Sequence, residues 1–136
     1  VQLEVDNGSG VASDFEHRSY GDELLRCQRY FYNHVYDTGT QLAVLNTTAY
    51  VSGTGYGTLH FPTTMRANPT LVSATGSNMY IIHGNGGATY TNAVTLETSG
   101  QNAVLLSTGG SMTQGYAYFV RTTGDSSGII SFAAEL

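Results

Sequence analysis

Residues 15–31 constrain the fold most strongly, because they contain the only convincing helix signal of the chain. Ser19 can act as the N-cap of a helix, and the carboxylates of Asp22 and Glu23 would then lie in its first turn, at the positive end of the helix dipole. Residues 28–36 change to a period of two with many aromatic side chains, which is typical of a β-strand. We therefore expect a short helix of about two or three turns that continues directly into a first strand.

Leu24, Cys27 and Phe31 predict an assembly face on one side of this helix, because they recur at positions i, i+3 and i+7. Cys27 is the only cysteine of the chain, so it cannot form an intrachain disulfide. We expect its thiol to be buried and structural, as free cysteines commonly are. The alternative, a nucleophilic thiol, requires a histidine partner that the sequence does not place.

The remainder of the chain consists of short strand-like segments separated by Gly, Asn, Asp and Ser. Only 11% of the residues are charged and 17 are glycine, a composition that favours an all-β domain with many turns. The predicted strands after the first comprise residues 41–51, 58–61, 70–75, 79–83, 89–98, 103–108, 116–122 and 129–132. The segments 52–57 and 84–87 are predicted to be Gly-rich turns. This pattern predicts an all-β fold, an antiparallel β-sandwich (jelly-roll-like) preceded by a short N-terminal helix.

Three segments near the N-terminus carry a resemblance to a known family. They read Q-L-E at residues 2–4, F-E-H-R-S-Y-G-D-E-L at residues 15–24 and C-Q-R-Y at residues 27–30. This pattern resembles a passage that recurs in tailed-phage virion proteins, particularly in C-terminal parts of tail-fibre and minor structural proteins, where it links an upstream module to a terminal β-domain. Asp22 stands where that family usually has Glu, and Ser13-Asp14 stands where Thr-Pro is common. Residues 61–70 and 133–136 are also similar to the family, whereas residues 75–123 are not.

The resemblance implies a domain organisation and a location in the virion. It implies an N-terminal arm and connector at residues 1–18 and a helix plus β-sandwich domain at residues 19–136, in a tail or other appendage. It also implies a homotrimer, since phage fibres are generally threefold, and other virion proteins as partners. Because the chain begins at Val1 and its first residues resemble the end of an upstream module, we expect it to be part of a longer protein.

The function implied by the resemblance is attachment to a host surface receptor, with a glycan favoured over a protein. Tyrosines that flank Gly/Asn-rich turns offer flat apolar area together with a hydroxyl, which suits both sugars and protein surfaces. The candidate receptor-binding residues are Tyr80, His83, Asn85, Tyr90 and Tyr56. Packing within the sheets is an equal alternative for these tyrosines. A second hypothesis is a structural module that trimerises or docks within the virion and touches no host.

Several classes of function receive no support from the sequence. The formal net charge of -5 gives no indication of a basic surface that would bind nucleic acid. No apolar segment is close to the length of a membrane-spanning helix, which needs about 18 residues. The four histidines lack metal-ligand spacing, so no metal is expected, although His60 or His83 could meet its copies on a threefold axis and bind an ion there. Carboxylates are sparse and no catalytic motif is present, so we expect neither enzymatic activity nor a cofactor. A polysaccharide depolymerase is the third alternative.

Overall fold

The structure is a computed structural model that describes residues 19–37, 39–74, 80–84, 86–124 and 128–135. The predicted N-terminal arm lies outside these residues. The described part contains the helix α1 (Tyr20–Gln28) and the strands β1 (Phe31–Tyr36), β2 (Ala43–Val51), β3 (Thr54–His60), β4 (Thr70–Ser73), β5 (Tyr80–Gly84), β6 (Gly87–Thr91), β7 (Val94–Ser99), β8 (Ala103–Gly109), β9 (Ala117–Thr122) and β10 (Ile129–Ala133). The predicted fold class, an all-β antiparallel sandwich preceded by a short helix, is confirmed.

The N-terminal boundary of α1 is set by its cap. Ser19 adopts an extended backbone conformation, and its Oγ accepts a hydrogen bond from the backbone N–H of Asp22 at 3.1 Å. The Ser19 hydroxyl in turn donates to the Asp22 carboxylate at 2.7 Å, so Ser19 bonds both the backbone and the side chain of the residue three positions after it. The prediction that Ser19 caps a short helix leading directly into β1 is therefore confirmed, because capping depends on neighbours in the chain alone.

The apolar side of α1 is not covered by the sandwich. None of its residues is buried, and the side chains of Leu24 and Leu25 are 42% and 48% exposed. Cys27 is exposed as well, so the prediction that its thiol is buried is wrong for the chain as described. Within α1 only Glu23 and Gln28 are half-buried, so the described residues of the sandwich cover little of the helix and leave its apolar side chains exposed.

The strands form two antiparallel sheets of unequal size. The smaller sheet has the order β1-β10-β4, and the larger has the order β6-β5-β9-β2-β3-β8-β7. Side chains from both sheets meet in one apolar core: Ile130 and Phe132 of β10 belong to the same buried cluster as Leu106 of β8 and Val120 of β9. Phe61, which follows β3, packs edge-on against Phe132 with ring centroids 5.1 Å apart. The core therefore lies between the sheets, and the opposite face of each sheet is available to solvent.

The larger sheet curls strongly, because β6 and β7 are joined by only two residues and yet lie at its opposite edges. The hydroxyl of Thr108 on β8 is 3.3 Å from the carbonyl oxygen of Ala93 and 3.5 Å from the hydroxyl of Thr91, so the two ends of the sheet approach each other. The prediction of a single strand over residues 89–98 is wrong, because the chain turns at residues 92–93 and crosses to the other edge.

The segment 52–57 was predicted to be a turn, but β3 already begins at Thr54. Gly55 and Gly57 are buried within this strand. Glycine is needed at both positions because neighbouring groups leave no room for a side chain. A Cβ atom on Gly55 would lie 2.7 Å from the sulfur of Met112 and 2.9 Å from the hydroxyl oxygen of Thr47. Glycine here permits a close approach inside a strand, a use that composition alone does not distinguish from a turn.

Candidate functional site

Strand alternation places a group of unusual side chains on the outer face of the larger sheet, opposite the core. On β5, Tyr80 and Ile82 are fully buried core residues. Ile81 and His83 alternate with them and therefore belong to the outer face. Pairing of β5 with β6 and β9 then brings two rows together on that face. We call this group the outer-face patch; its rows are Tyr90–Ile81–Arg121 and Ala88–His83–Phe119.

His83 lies at the centre of the patch and makes two specific contacts. Its ring stacks on the ring of Phe119, with centroids 4.9 Å apart and an interplanar angle of 10°. Its Nε2 accepts a hydrogen bond from Nε of Arg121 at 2.8 Å. Because a guanidinium group can only donate, Nε2 must be unprotonated in this arrangement and the ring hydrogen must lie on Nδ1. The imidazole therefore orients the arginine and leaves its own Nδ1–H available.

Arg121 carries a positive charge that no described carboxylate neutralises. Within the described residues its one polar contact is the hydrogen bond to His83, which occupies Nε and leaves both terminal amino groups without a protein acceptor. The strands β6, β5, β9, β2 and β3 contain no Asp or Glu. Glu97 of β7 is the only carboxylate on the larger sheet, and it accepts a hydrogen bond from the hydroxyl of Ser107. The patch is thus locally cationic in a chain with a formal net charge of -5.

Aromatic rings border the arginine and remain in contact with solvent. Tyr90 of β6 is 56% exposed, and Phe119 of β9 is 47% exposed even though His83 stacks on it. Ile81, between Tyr90 and Arg121 in the register, is only 5% exposed and does not belong to the main core cluster. The patch therefore has an apolar floor at Ile81, aromatic rings at its borders and one cationic group.

A second aromatic pair extends this outer face. Tyr50 at the end of β2 is 75% exposed, and its ring lies edge-on to the half-buried Tyr56 of β3 with centroids 6.4 Å apart. Tyr56 pairs with Thr48, which in turn pairs with Ala117 of β9, the strand that carries Phe119. Tyr56 therefore shares the outer face of the larger sheet with His83 and Tyr90.

Tyr80 does not belong to this surface. It is completely buried, and its hydroxyl shares its hydrogen between the carbonyl oxygens of Ala74, at 3.2 Å, and Ile129, at 3.0 Å. Burial raises the pKa of Tyr80 from 10.0 to about 12, because the phenolate would lose its hydration. Tyr80 is therefore a core residue that connects β5 to the smaller sheet, which removes it from the candidate receptor-binding residues. Asn85 lies outside the described residues.

The predicted assembly face is not one face of a helix, because α1 ends at Gln28 and Phe31 lies on β1 of the smaller sheet. Cys27 is exposed, Leu24 is 42% exposed and Phe31 is 49% exposed. Phe31 belongs to β1, and Val72 of β4 and Tyr36 of β1 are exposed on the same small sheet at 49% and 58%. This part of the surface carries apolar side chains that the described residues leave exposed.

The described histidines are dispersed and form no metal-binding group. Nε2 of His34 lies 2.5 Å from the carbonyl oxygen of Val44, His60 is exposed on β3, and His83 is hydrogen-bonded to Arg121. No group of three or more His, Cys, Asp or Glu side chains with metal-binding geometry occurs in the part of the chain that the structure describes. His60 lies on β3 and His83 on β5, two strands that are not neighbours in the larger sheet.

No helix in the described part of the chain has both the length and the apolar character needed to cross a membrane. Comparison of the chain with family models, with curated proteins and with solved structures finds no match.

Of the outer-face patch, only Tyr90 and His83 were predicted from the sequence; Phe119 and Arg121, which contact His83, were not. Their alternation with Tyr118 and Val120 in the segment A-Y-F-V-R-T is the signal that would have placed both on a solvent face. Their proximity to His83 carries no sequence signal, because it depends on the register between β5 and β9, which lie almost 40 residues apart. The separation of 38 positions between His83 and Arg121 illustrates this.

Proposed function

We propose that this chain is the terminal domain of a tailed-phage appendage and that it attaches the virion to a host surface receptor. The single observation that carries the recognition part of the proposal is the outer-face patch, where the exposed rings of Tyr90 and Phe119 share one face with the hydrogen-bonded pair of His83 and Arg121. The resemblance of residues 2–4, 15–24 and 27–30 to the phage linker passage supports the appendage setting.

The chemistry of the patch favours a glycan receptor. An exposed aromatic ring can pack against the C–H face of a sugar ring, and neighbouring hydroxyl and ring N–H groups can bond the sugar hydroxyls. The side chains project from paired strands, so little conformational freedom is lost when a ligand binds. Tyr90, His83 and Tyr56 are the predicted receptor-binding residues that this proposal retains.

The proposal is tested by binding of the purified, fluorescently labelled chain to a panel of bacterial strains with different surface polysaccharides, with phage adsorption as the competition readout. We expect Tyr90→Ala to weaken cell binding by about 10-fold, in line with the loss of one aromatic contact at a small interface. Tyr36→Ala is the matched control, because Tyr36 is almost equally exposed but lies on the smaller sheet. Equal binding of both variants would contradict the proposed location of the site.

A second candidate function is a structural module that trimerises or docks onto other virion proteins. The exposed apolar side chains of Leu24 on α1 and Phe31 on β1 favour it, since exposed apolar side chains often mark a protein–protein contact. Light scattering of the wild type and of the Leu24→Ser/Phe31→Ser variant tests it. A homotrimer that dissociates in the variant would support assembly through this face, and a monomeric wild type would contradict it.

A further inference from the structure

We infer that the outer-face patch binds a saccharide that carries a carboxylate group, and that the Arg121 guanidinium receives this carboxylate end-on. This inference rests on the proposed function, because it names the ligand class of the same surface. It follows from the orientation of the arginine, from the local absence of negative charge and from the spacing between the arginine and Tyr90.

His83 determines which edge of the guanidinium group faces a ligand. Its Nε2 occupies the Nε–H of Arg121, so the side-on approach that uses Nε together with one terminal nitrogen is blocked. The edge formed by Nη1 and Nη2 remains, and its two parallel N–H groups match the two oxygens of one carboxylate. A planar anion with two coplanar oxygens therefore fits better than a single hydroxyl of a neutral sugar.

The electrostatic surroundings leave Arg121 uncompensated within the described part of the chain. No Asp or Glu occurs on β9, on its neighbours β5 and β2, or on β6 and β3 beyond them. The one acidic residue of the sheet, Glu97, is engaged by Ser107. An arginine that is held by a neutral histidine and forms no ion pair with a described residue remains able to bind an external anion.

The positions of the aromatic rings indicate the size of the ligand and the kind of surface that it presents. Tyr90 lies in the same row as Arg121 with Ile81 between them, and two inter-strand steps separate their backbones by roughly 10 Å. That distance accommodates a disaccharide whose acidic unit reaches Arg121 while the next unit covers Ile81 and packs on Tyr90. Phe119 and the free Nδ1–H of His83 border the acidic unit on the adjacent row.

The test is a titration of the ¹⁵N-labelled chain with two acidic oligosaccharides from different sources, each paired with a neutral counterpart. Trigalacturonate is compared with its methyl ester, and 3′-sialyllactose is compared with lactose. We expect at least one acidic ligand to shift the Nε–Hε signal of Arg121 and to bind about 10-fold or more tightly than its neutral partner, as loss of a bidentate charged pair implies. Whether one or both acids bind distinguishes a uronic acid from a sialic acid. Equal affinity for acidic and neutral forms, or no binding by either acid, would overturn the inference without any mutation.

Substitutions distinguish the role of Arg121, which binds the carboxylate, from that of His83, which orients Arg121. Arg121→Gln should lose about 10-fold in affinity for the acidic ligand, while Arg66→Gln, with an equal charge change at an arginine that lies over Tyr30, should lose none. His83→Ala should weaken binding, whereas His83→Gln should stay within about 3-fold of the wild type, because its side-chain oxygen can accept from Nε of Arg121. If Arg66→Gln lost as much affinity as Arg121→Gln, the loss would result from the change in net charge alone, and the inference would be contradicted.

Failure of this inference can be distinguished from failure of the proposed function by binding of the same variants to the bacterial panel. If the wild type binds cells and Arg121→Gln binds them equally well, the attachment function stands and the acidic-saccharide inference is wrong. If the wild type binds no cells but binds an acidic oligosaccharide through Arg121, the inference stands and the attachment function is wrong. Absence of both kinds of binding overturns both.

Discussion

At the scale of single residues, the role of a side chain depends on the face of the strand that carries it. Tyr80 and His83 are three positions apart on β5, but Tyr80 is completely buried and His83 lies on the outer face beside Phe119. Both were predicted to contact a receptor because they adjoin the same Gly-rich turn. The alternation of β5 separates them, since successive side chains of a strand point to opposite faces of the sheet.

Tyr80 should make the stability of the fold depend on pH in alkaline solution. Its pKa is about 12 in the folded chain and near 10 when unfolded, so its contribution is complete below pH 10 and is lost as the pH rises toward 12. The unfolded state then releases its proton first, and the free energy of unfolding should fall by on the order of 2 kcal/mol over this interval. Urea unfolding at several pH values measures this.

Tyr80→Phe is the informative variant for that measurement. It should be less stable than the wild type by about 1 kcal/mol at neutral pH, because it loses the hydrogen bonds to Ala74 and Ile129. The difference between the two proteins should shrink above pH 10, and Tyr90→Phe at an exposed position should retain the wild-type pH dependence. A parallel decline of Tyr80→Phe and wild type would show that Tyr80 is not responsible.

At the scale of elements, the boundaries that depend on neighbours in the chain agree with the sequence prediction, and those that depend on distant contacts do not. Ser19 begins the helix as expected, and β2 occupies most of the predicted segment 41–51. The turn predicted at residues 52–57 is largely strand, and the strand predicted at residues 89–98 is two strands. Both errors arise from tertiary structure: β3 needs glycine to pass close to Met112, and β6 and β7 belong to opposite edges of one curled sheet.

Gly55→Ala should test the close approach inside β3. The added methyl group would meet the sulfur of Met112 and the hydroxyl of Thr47, so we expect a destabilisation of about 1–3 kcal/mol in urea unfolding. Gly87→Ala on β6 is the matched control, since a Cβ there meets nothing within 4 Å, and its effect should not exceed about 0.5 kcal/mol. Similar effects at both positions would indicate that crowding is not the cause.

Asp37 should stabilise the fold by linking the segment after β1 to the segment after β9 through hydrogen bonds. Its carboxylate is buried, and its two oxygens accept from the backbone N–H groups of Gly39 at 2.8 Å and Gly124 at 2.9 Å. Asp37→Asn places an N–H group opposite one of these donors, so we expect a loss of about 2 kcal/mol in the free energy of unfolding. Asp22→Asn, at an exposed position in the first turn of α1, should cost less than about 1 kcal/mol. Equal costs would contradict the role of the buried carboxylate.

At the scale of the whole molecule, two exposed surfaces of different chemistry lie on different sheets. The larger sheet carries aromatic and cationic side chains on its outer face, including Tyr90 and Arg121, whereas the region of α1 and the smaller sheet carries apolar side chains such as Leu24, Phe31 and Val72. This separation allows the chain to use one surface for a ligand and the other for contact with protein.

The exposed thiol of Cys27 provides a measurement of whether the second surface is covered. In the isolated chain it should react completely with a disulfide reagent in the absence of denaturant, within about 10-fold of the rate in the unfolded chain, because it is exposed. Protection that increases with protein concentration, together with a larger mass in light scattering, would indicate assembly through this face. Slow reaction of a protein that light scattering shows to be monomeric would contradict the exposed position of Cys27.

The sequence by itself determined the features that arise from local preferences: the Ser19 cap, the short helix, the strand alternation and the all-β class. Only the tertiary structure decided the order of the strands, the burial of Tyr80 and the contact of His83 with Arg121. The physical reason is that caps and alternation follow from backbone geometry over a few residues, whereas sheet order and register depend on which distant apolar faces pack together. The candidate binding surface belongs to the second group, because it forms only when β6, β5 and β9 lie side by side.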